Sequence, residues 1–336
     1  MKMVTHQYIV RDTGQPRSEF LVGDRIISAL YSTELKYSNL FHSVLSSAQF
    51  TAFLAFMNFD CPVTRTTVKS LELMGADFSE CLEPADNLKT MRSIFERKIR
   101  YWELRPILEN DAMIVSPADS RVVVGSLEQH SMFFLKKKFF SFEELLGCPW
   151  NDWSGYFEKG SFAIFRLTPE KYHYNHTPVA GIIVDFYEVA GKYNSCNPSA
   201  TIGLVDAYSK NKRVVTIIDT DVPGGTGVGL VAMIEIVALM IGKIDQAYSE
   251  VRYQEPSDLA IGMYVKKGVP KSLFRPGSST VVLLFQHGRV KFAADLISNQ
   301  ERMDVDSRFS LGFGRPVVET DLKVRSSIAC RSNVPA

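Results

Sequence analysis

The spacing of apolar positions changes part-way along the chain. Residues 37–59 contain no Asp, Glu, Lys or Arg, and their apolar side chains recur at helical intervals: Phe41, Val44, Leu45 and Ala48, then Phe50, Phe53, Leu54 and Met57. This predicts an amphipathic helix or helix pair. At roughly 1.5 Å per residue the stretch is nominally long enough for a bilayer. Ser38, Asn39, His42, Gln49 and Asn58 are spread through it, however. It fits either a cover for the core or a face lying on a membrane surface. A second helical pattern starts near Asp86, with Leu88, Met91, Phe95 and Ile99 on one side. It stops before Pro106, which disfavours helical backbone in the residue preceding it.

Beyond Pro106 the texture becomes that of strands. Short β-rich runs occur at 113–115, 121–124, 161–167, 182–187, 214–218, 228–244 and 281–285, separated by Gly, Pro, Asn and Asp. The pattern predicts an α+β fold: a helical N-terminal part, residues 1–84, packed on a β-rich body of antiparallel or mixed sheets, residues 85–336. Residues 281–285 are uncharged and rich in branched side chains, as in a strand buried on both faces. Pro276 and Gly277 supply turn chemistry just before it, so Ser278 and Ser279 sit where a tight turn feeds a core strand. The glycines of residues 224–229 fit neither nucleotide fingerprint: no Gly-Lys-Ser/Thr follows, and Leu230 falls where a third glycine is needed. A glycine-rich hairpin is the better fit.

Composition narrows the class. With 336 residues, 46% hydrophobic and 22% charged, the chain can bury a full core. A net charge of +1 gives no sign of a nucleic-acid partner. Cys61, Cys81, Cys148, Cys196 and Cys330 are scattered, with no Cys-x-x-Cys. That pattern points to reduced thiols in a cytoplasmic setting, and away from a disulfide framework or zinc site. The N-terminus has charges at Lys2, Arg11 and Asp12 and no apolar core of a secretory signal.

Three polar positions stand out against this background. His173 and His176 lie in Tyr172-His173-Tyr174-Asn175-His176-Thr177-Pro178, a predicted loop at a sheet edge. The pair alone is a weak signal, and no further zinc ligand lies near it. Asp119, in Ser116-Pro117-Ala118-Asp119, follows a predicted strand, where an aspartate commonly bonds its own turn. An Asp, a His and a Ser, each at a strand end, match the logic of an activated serine. A hydrolase would place its serine on Gly-x-Ser-x-Gly, which surrounds neither Ser278 nor Ser279. The other chemistry is attack on the preceding carbonyl of the same chain, where proximity supplies much of the acceleration. The ester so formed can eliminate to dehydroalanine and hydrolyse to a ketone, a pyruvoyl group.

At this point the motifs become specific. Phe95-Glu96-Arg97 with Arg105-Pro106-Ile107, Ser116 to Asp119, Lys138 to Leu146, Tyr172 to Pro178 and Ile236 to Ile244 occur in that order. Over residues 85–312 the chain resembles the phosphatidylserine decarboxylase family, self-cleaving pyruvoyl enzymes. Ser120, Phe139, Tyr174 and Val237 depart from it, Tyr174 standing where the family has arginine and the others where it has glycine. The resemblance implies a pyruvoyl group derived from serine, with no metal and no pyridoxal phosphate. The cleavage site is Gly277-Ser278-Ser279: counting back from the strand makes Ser279 the precursor, and counting forward from Phe274 makes it Ser278. Relatives with two glycines before the serine favour Ser279. His176, held by Asp119, would be the cleavage base, and His173 would protonate the carbanion left by carbon dioxide. The resemblance further implies a phospholipid substrate met at a membrane surface, with a soluble amino acid as the alternative. Long and short chains would stay associated, in a homo-oligomer. A non-catalytic binding protein on the same fold is disfavoured, since Asp119, His173, His176 and the serine site are all intact.

Overall fold

The computed structural model describes residues 5–21, 59, 60, 62, 65–107, 110–127, 142–147, 153–203, 207–238, 243–275 and 279–332. The helices expected over 37–59 lie outside them except for Phe59, as do Gly277, Ser278 and residues 138–141.

Sixteen strands are present among the described residues. They begin with β1 (Gln7–Val10), β2 (Gln15–Ser18), β3 (Met113–Val115), β4 (Ser120–Ser126), β5 (Ser161–Leu167) and β6 (Tyr174–His176). There follow β7 (Gly181–Val189), β8 (Arg213–Asp219), β9 (Leu230–Ile236), β10 (Ile244–Gln246) and β11 (Tyr264–Val265). The last are β12 (Pro270–Phe274), β13 (Ser279–Phe285), β14 (Val290–Phe292), β15 (Thr320–Leu322) and β16 (Ser327–Arg331). Ten of them form one sheet in the order β11-β7-β8-β9-β13-β5-β4-β15-β1-β2, and two three-stranded sheets, β10-β12-β6 and β14-β16-β3, accompany it. All neighbours are antiparallel except β1 and β15. The fold is α+β and dominated by sheet.

Strand β13 is the spine. It is buried along its whole length between β5 and β9. Val281, Leu283 and Phe285 enter one core cluster, Val282 and Leu284 another, so the two-residue side-chain period feeds apolar groups to both faces. Residues 224–229 do form the hairpin end between β8 and β9, with Gly224, Gly227 and Gly229 at positive φ. The apolar run 228–244, expected as one strand, divides: β9 stays in the large sheet and β10 pairs with β12 in a small one.

Ahead of residue 85 the described chain includes strands as well as helix. The β1–β2 hairpin extends the large sheet at its edge, and only α1 (Arg65–Met74) is helical over more than two turns. The hairpin escapes sequence reading because β2, Gln15-Pro16-Arg17-Ser18, is polar and exposed on both faces. The helical pattern from Asp86 is realised as short pieces, including α2 (Met91–Phe95) and α3 (Tyr101–Leu104). Thr90 and Ser93 form a capping box that fixes where α2 begins. Among the described residues no helix is long and apolar enough to cross a membrane.

Candidate active site

Three of the sequence motifs, at residues 95–97, 116–119 and 172–178, converge on the strand β6. Arg97, just past α2, is buried and donates to the carbonyls of Glu170 (2.7 Å) and Lys171 (3.1 Å), which fixes the approach to the histidine segment. Phe95 lies against His173 with ring centroids 3.4 Å apart. The His176 N–H donates to the Pro117 carbonyl at 2.7 Å, joining the Asp119 turn to the histidine strand. On the other side β12 pairs with β6, and the Phe274 N–H donates to the His173 carbonyl at 3.2 Å. Ser279 is five residues further on, so the chain places it within about 18 Å of that bond. Between the histidines, Asn175 donates to Glu235 of β9 (3.1 Å) and to the Ser272 hydroxyl (3.0 Å), and Glu235 pairs with buried Lys271 at 2.6 Å. Glu235 stands opposite Val281, which ties the histidine strand to the ladder carrying Ser279.

The two histidines differ in what they touch. Both are fully buried. Neither ring nitrogen of His173 makes a hydrogen bond of good geometry, although the Lys171 backbone lies close enough to favour the protonated ring. Burial, then the nearby Arg97 charge, holds its pKa well below the ordinary histidine value, so the ring is neutral. His176 is bonded through both nitrogens, Nδ1 to the Gly268 carbonyl at 3.1 Å and Nε2 to the Tyr172 hydroxyl at 3.0 Å. Its pKa falls to about 3, chiefly through burial.

Asp119 does not bond His176. Its carboxylate accepts from Arg105 (3.1 and 3.3 Å) and from the Val324 N–H (2.7 Å). Burial alone would raise its pKa, and the Arg105 guanidinium outweighs that and holds it below the ordinary value. The direct Asp119–His176 contact expected from triad logic is replaced by a backbone route: Asp119 anchors its segment to Arg105 and to the Val324 N–H, and the neighbouring Pro117 carbonyl holds His176. Ser279 opens β13 opposite Leu167, and its buried hydroxyl has no partner. It therefore makes no bond to His176 in this arrangement.

The comparisons with known proteins decide the family. The profile of the phosphatidylserine decarboxylase family matches residues 91–310. The chain belongs to that family. It is 31% identical over 296 residues to a phosphatidylserine decarboxylase proenzyme of Chlamydia trachomatis, covering 86% of this chain and 90% of the relative. It is 29% identical to that of Fusobacterium nucleatum over 91% of this chain and 95% of the relative, and 32% identical to that of Saccharophagus degradans over 68% and 80%. The match to the Fusobacterium protein is longer than the whole stretch after residue 84, so part of residues 1–84 is shared with it. The family is one of carboxy-lyases.

Sequence reasoning named His173, His176, Asp119 and Ser279, with Ser278 as the alternative precursor, but not the groups that hold them. Arg97 and Arg105 stood inside quoted motifs without a role, and only the fold shows that they grip the histidine segment and Asp119. Tyr253, whose hydroxyl lies 2.6 Å from that of Tyr172, carried no signal. It sits far along the chain in a loop of mixed composition.

Proposed function

We propose that this protein is a self-processing decarboxylase that converts phosphatidylserine to phosphatidylethanolamine and carbon dioxide, using a pyruvoyl group made from Ser279. The observation that carries the reading is the buried, unpartnered hydroxyl of Ser279 at the start of the core strand β13, two residues before Val281, which stands opposite the Glu235 that Asn175 of the histidine strand bonds. A buried hydroxyl without a partner costs about 1–3 kcal/mol, which folding alone does not explain.

The residues fit such a group. In self-cleavage His176 takes the Ser279 proton, the Ser279 oxygen attacks the Ser278 carbonyl carbon, and the released amide nitrogen is protonated. Loss of the α-proton then expels the Ser278 carboxylate as the end of the long chain. Water adds to the dehydroalanine left at position 279, and ammonia departs. The His176 ring must open Nε2 to Ser279 to do this; the Tyr172 hydroxyl, which has Tyr253 as a second partner, swings aside for the transfer and returns as acceptor once Nε2 carries the proton. Asp119 and Arg105 hold the Pro117 turn that fixes His176 from behind.

In turnover the pyruvoyl carbonyl would supply the sink for the electrons released as carbon dioxide leaves. His173 is the proton carrier. The protein gives the nitrogens of His173 no well-formed hydrogen bond, and an anionic headgroup brought against the ring raises its proton affinity. A proton taken up there is then positioned for the carbanion. Residues 37–59, with their two apolar stripes, hold the enzyme at the lipid surface. The test is carbon dioxide release from phosphatidylserine vesicles beside a panel of free amino acids, paired with liposome flotation. Turnover of the lipid with flotation is expected. Turnover of a free amino acid with neither lipid turnover nor flotation overturns the substrate assignment.

A further inference from the structure

Counting donors and acceptors fixes the state of His176. The Gly268 carbonyl can only accept, so the Nδ1 atom 3.1 Å from it carries the proton. Nε2 of the neutral ring then holds the lone pair, and the Tyr172 hydroxyl 3.0 Å away donates to it. The Tyr172 oxygen accepts in turn from the Tyr253 hydroxyl at 2.6 Å, and the Tyr253 oxygen accepts from the Ile99 N–H at 3.3 Å. A proton added to Nε2 reverses the three hydroxyl bonds. Nε2–H donates to Tyr172, Tyr172 to Tyr253, and Tyr253 to the Ile99 carbonyl at 3.1 Å. Ile99 offers both backbone groups to one hydroxyl, so the chain ends on a partner in either direction.

We propose that Tyr172 and Tyr253 are positioning residues that keep the His176 proton on Nδ1 and stabilise the imidazolium formed when Nε2 is protonated. This rests on the reading of His176 as the self-cleavage base, and it assigns to two tyrosines the support that a carboxylate gives in a serine triad. Asp119 cannot give it directly, because its oxygens face Arg105 and the Val324 N–H. The backbone supplies an independent sign. Arg252, Tyr253 and Glu255 have φ of 50°, 67° and 44°, a region that residues with a Cβ avoid, and this strained loop delivers the Tyr253 phenol. Tyr101 packs edge-on against the imidazole at 4.8 Å, and Arg325 lies over Tyr101. The Arg325 and Arg105 charges disfavour the imidazolium and Asp119 favours it. The phenols add an acceptor beside the ring without adding charge, since burial keeps both protonated.

The full chain made by cell-free synthesis, with its conversion to two chains followed over time, provides the test. Tyr172→Phe is expected to slow conversion about ten- to a hundredfold, as for loss of a charge-assisted hydrogen bond. Tyr253→Phe slows it less. The double variant is no slower than Tyr172→Phe, because Tyr253 reaches the ring only through Tyr172. Ring-nitrogen NMR of His176 shows the proton on Nδ1, with the Nε2 resonance displaced in Tyr172→Phe, and unchanged thermal melting of the variants excludes loss of fold. Wild-type rates in both single variants, additive slowing, or a proton on Nε2 overturns the inference and leaves self-cleavage standing. A wild-type chain that stays whole overturns the underlying reading instead, and the ring-proton measurement then decides the tyrosine pair alone.

Discussion

Arg166 and His176 are ten residues apart and both buried, yet they belong to clusters of opposite character. Around Arg166 every guanidinium nitrogen is engaged: Nε with Glu319 at 2.9 Å, Nη1 with Glu19 at 2.9 Å, and Nη2 with both carboxylates. His6 completes the group, 2.9 Å from Glu319. Burial would push both carboxyl groups up, and the facing arginines hold them below their ordinary range instead. His6, Glu19 and Glu319 would pass for a cation site by spacing, but the positive charge they balance is the guanidinium itself. At His173 and Ser279 no such balance exists. Both nitrogens of His173 and the hydroxyl of Ser279 are buried and unmet. Burial of polar groups is common to structure and chemistry. What separates Arg166 from His173 and Ser279 is that each of its polar atoms is met by an opposite charge.

The comparison breaks most visibly at Ser279 and His176. Ser279→Ala and His176→Ala are expected to remain single chains on a denaturing gel, while Ser278→Ala is still cut. A cut Ser279→Ala together with an uncut Ser278→Ala moves the pyruvoyl group to Ser278. Next in size, His173→Ala should be cut normally but lose about 10²–10⁴ in decarboxylation rate, the usual worth of a positioned proton carrier. The reverse pattern, with His173→Ala uncut and His176→Ala cut, inverts the two roles. Arg166→Ala should do the opposite of both. It leaves Glu19 and Glu319 buried without their shared partner, at about 3–5 kcal/mol, so melting drops by about 5 °C in a chain of this length while the folded fraction still cleaves. A melting point within a degree of wild type would show the cluster to be dispensable.

The smallest effect is graded with pH. Both site histidines have folded pKa values below the unfolded value near 6.5, so their contribution to stability is complete above that pH and is lost as pH falls. Between pH 6.5 and 4, unfolding free energy should fall by up to about 2.7 kcal/mol per pH unit from the two together. His173→Gln should remove about half of that slope. An unchanged slope would mean that His173 is protonated in the folded protein.

Much of this was legible in the chain because the signals were local. The runs at 161–167 and 281–285 became β5 and β13, since continuous apolar character leaves a central strand no alternative. The helix read onward from Asp86 was less secure, because a period says which face is buried and not where caps interrupt it. The four site residues were named from motifs and strand ends. Their partners were not, for contacts such as Arg105–Asp119 and Tyr172–Tyr253 depend on how distant segments pack. Triad logic therefore aimed Asp119 at His176, whereas the fold turns its carboxylate to Arg105.

Intact-mass spectrometry of the purified full-length protein tests the central claim most directly. The account predicts two chains, a long one ending at Ser278 and a short one beginning at residue 279 with a ketone in place of its amine. One uncut chain, or a cut that leaves an ordinary amino terminus, would contradict it.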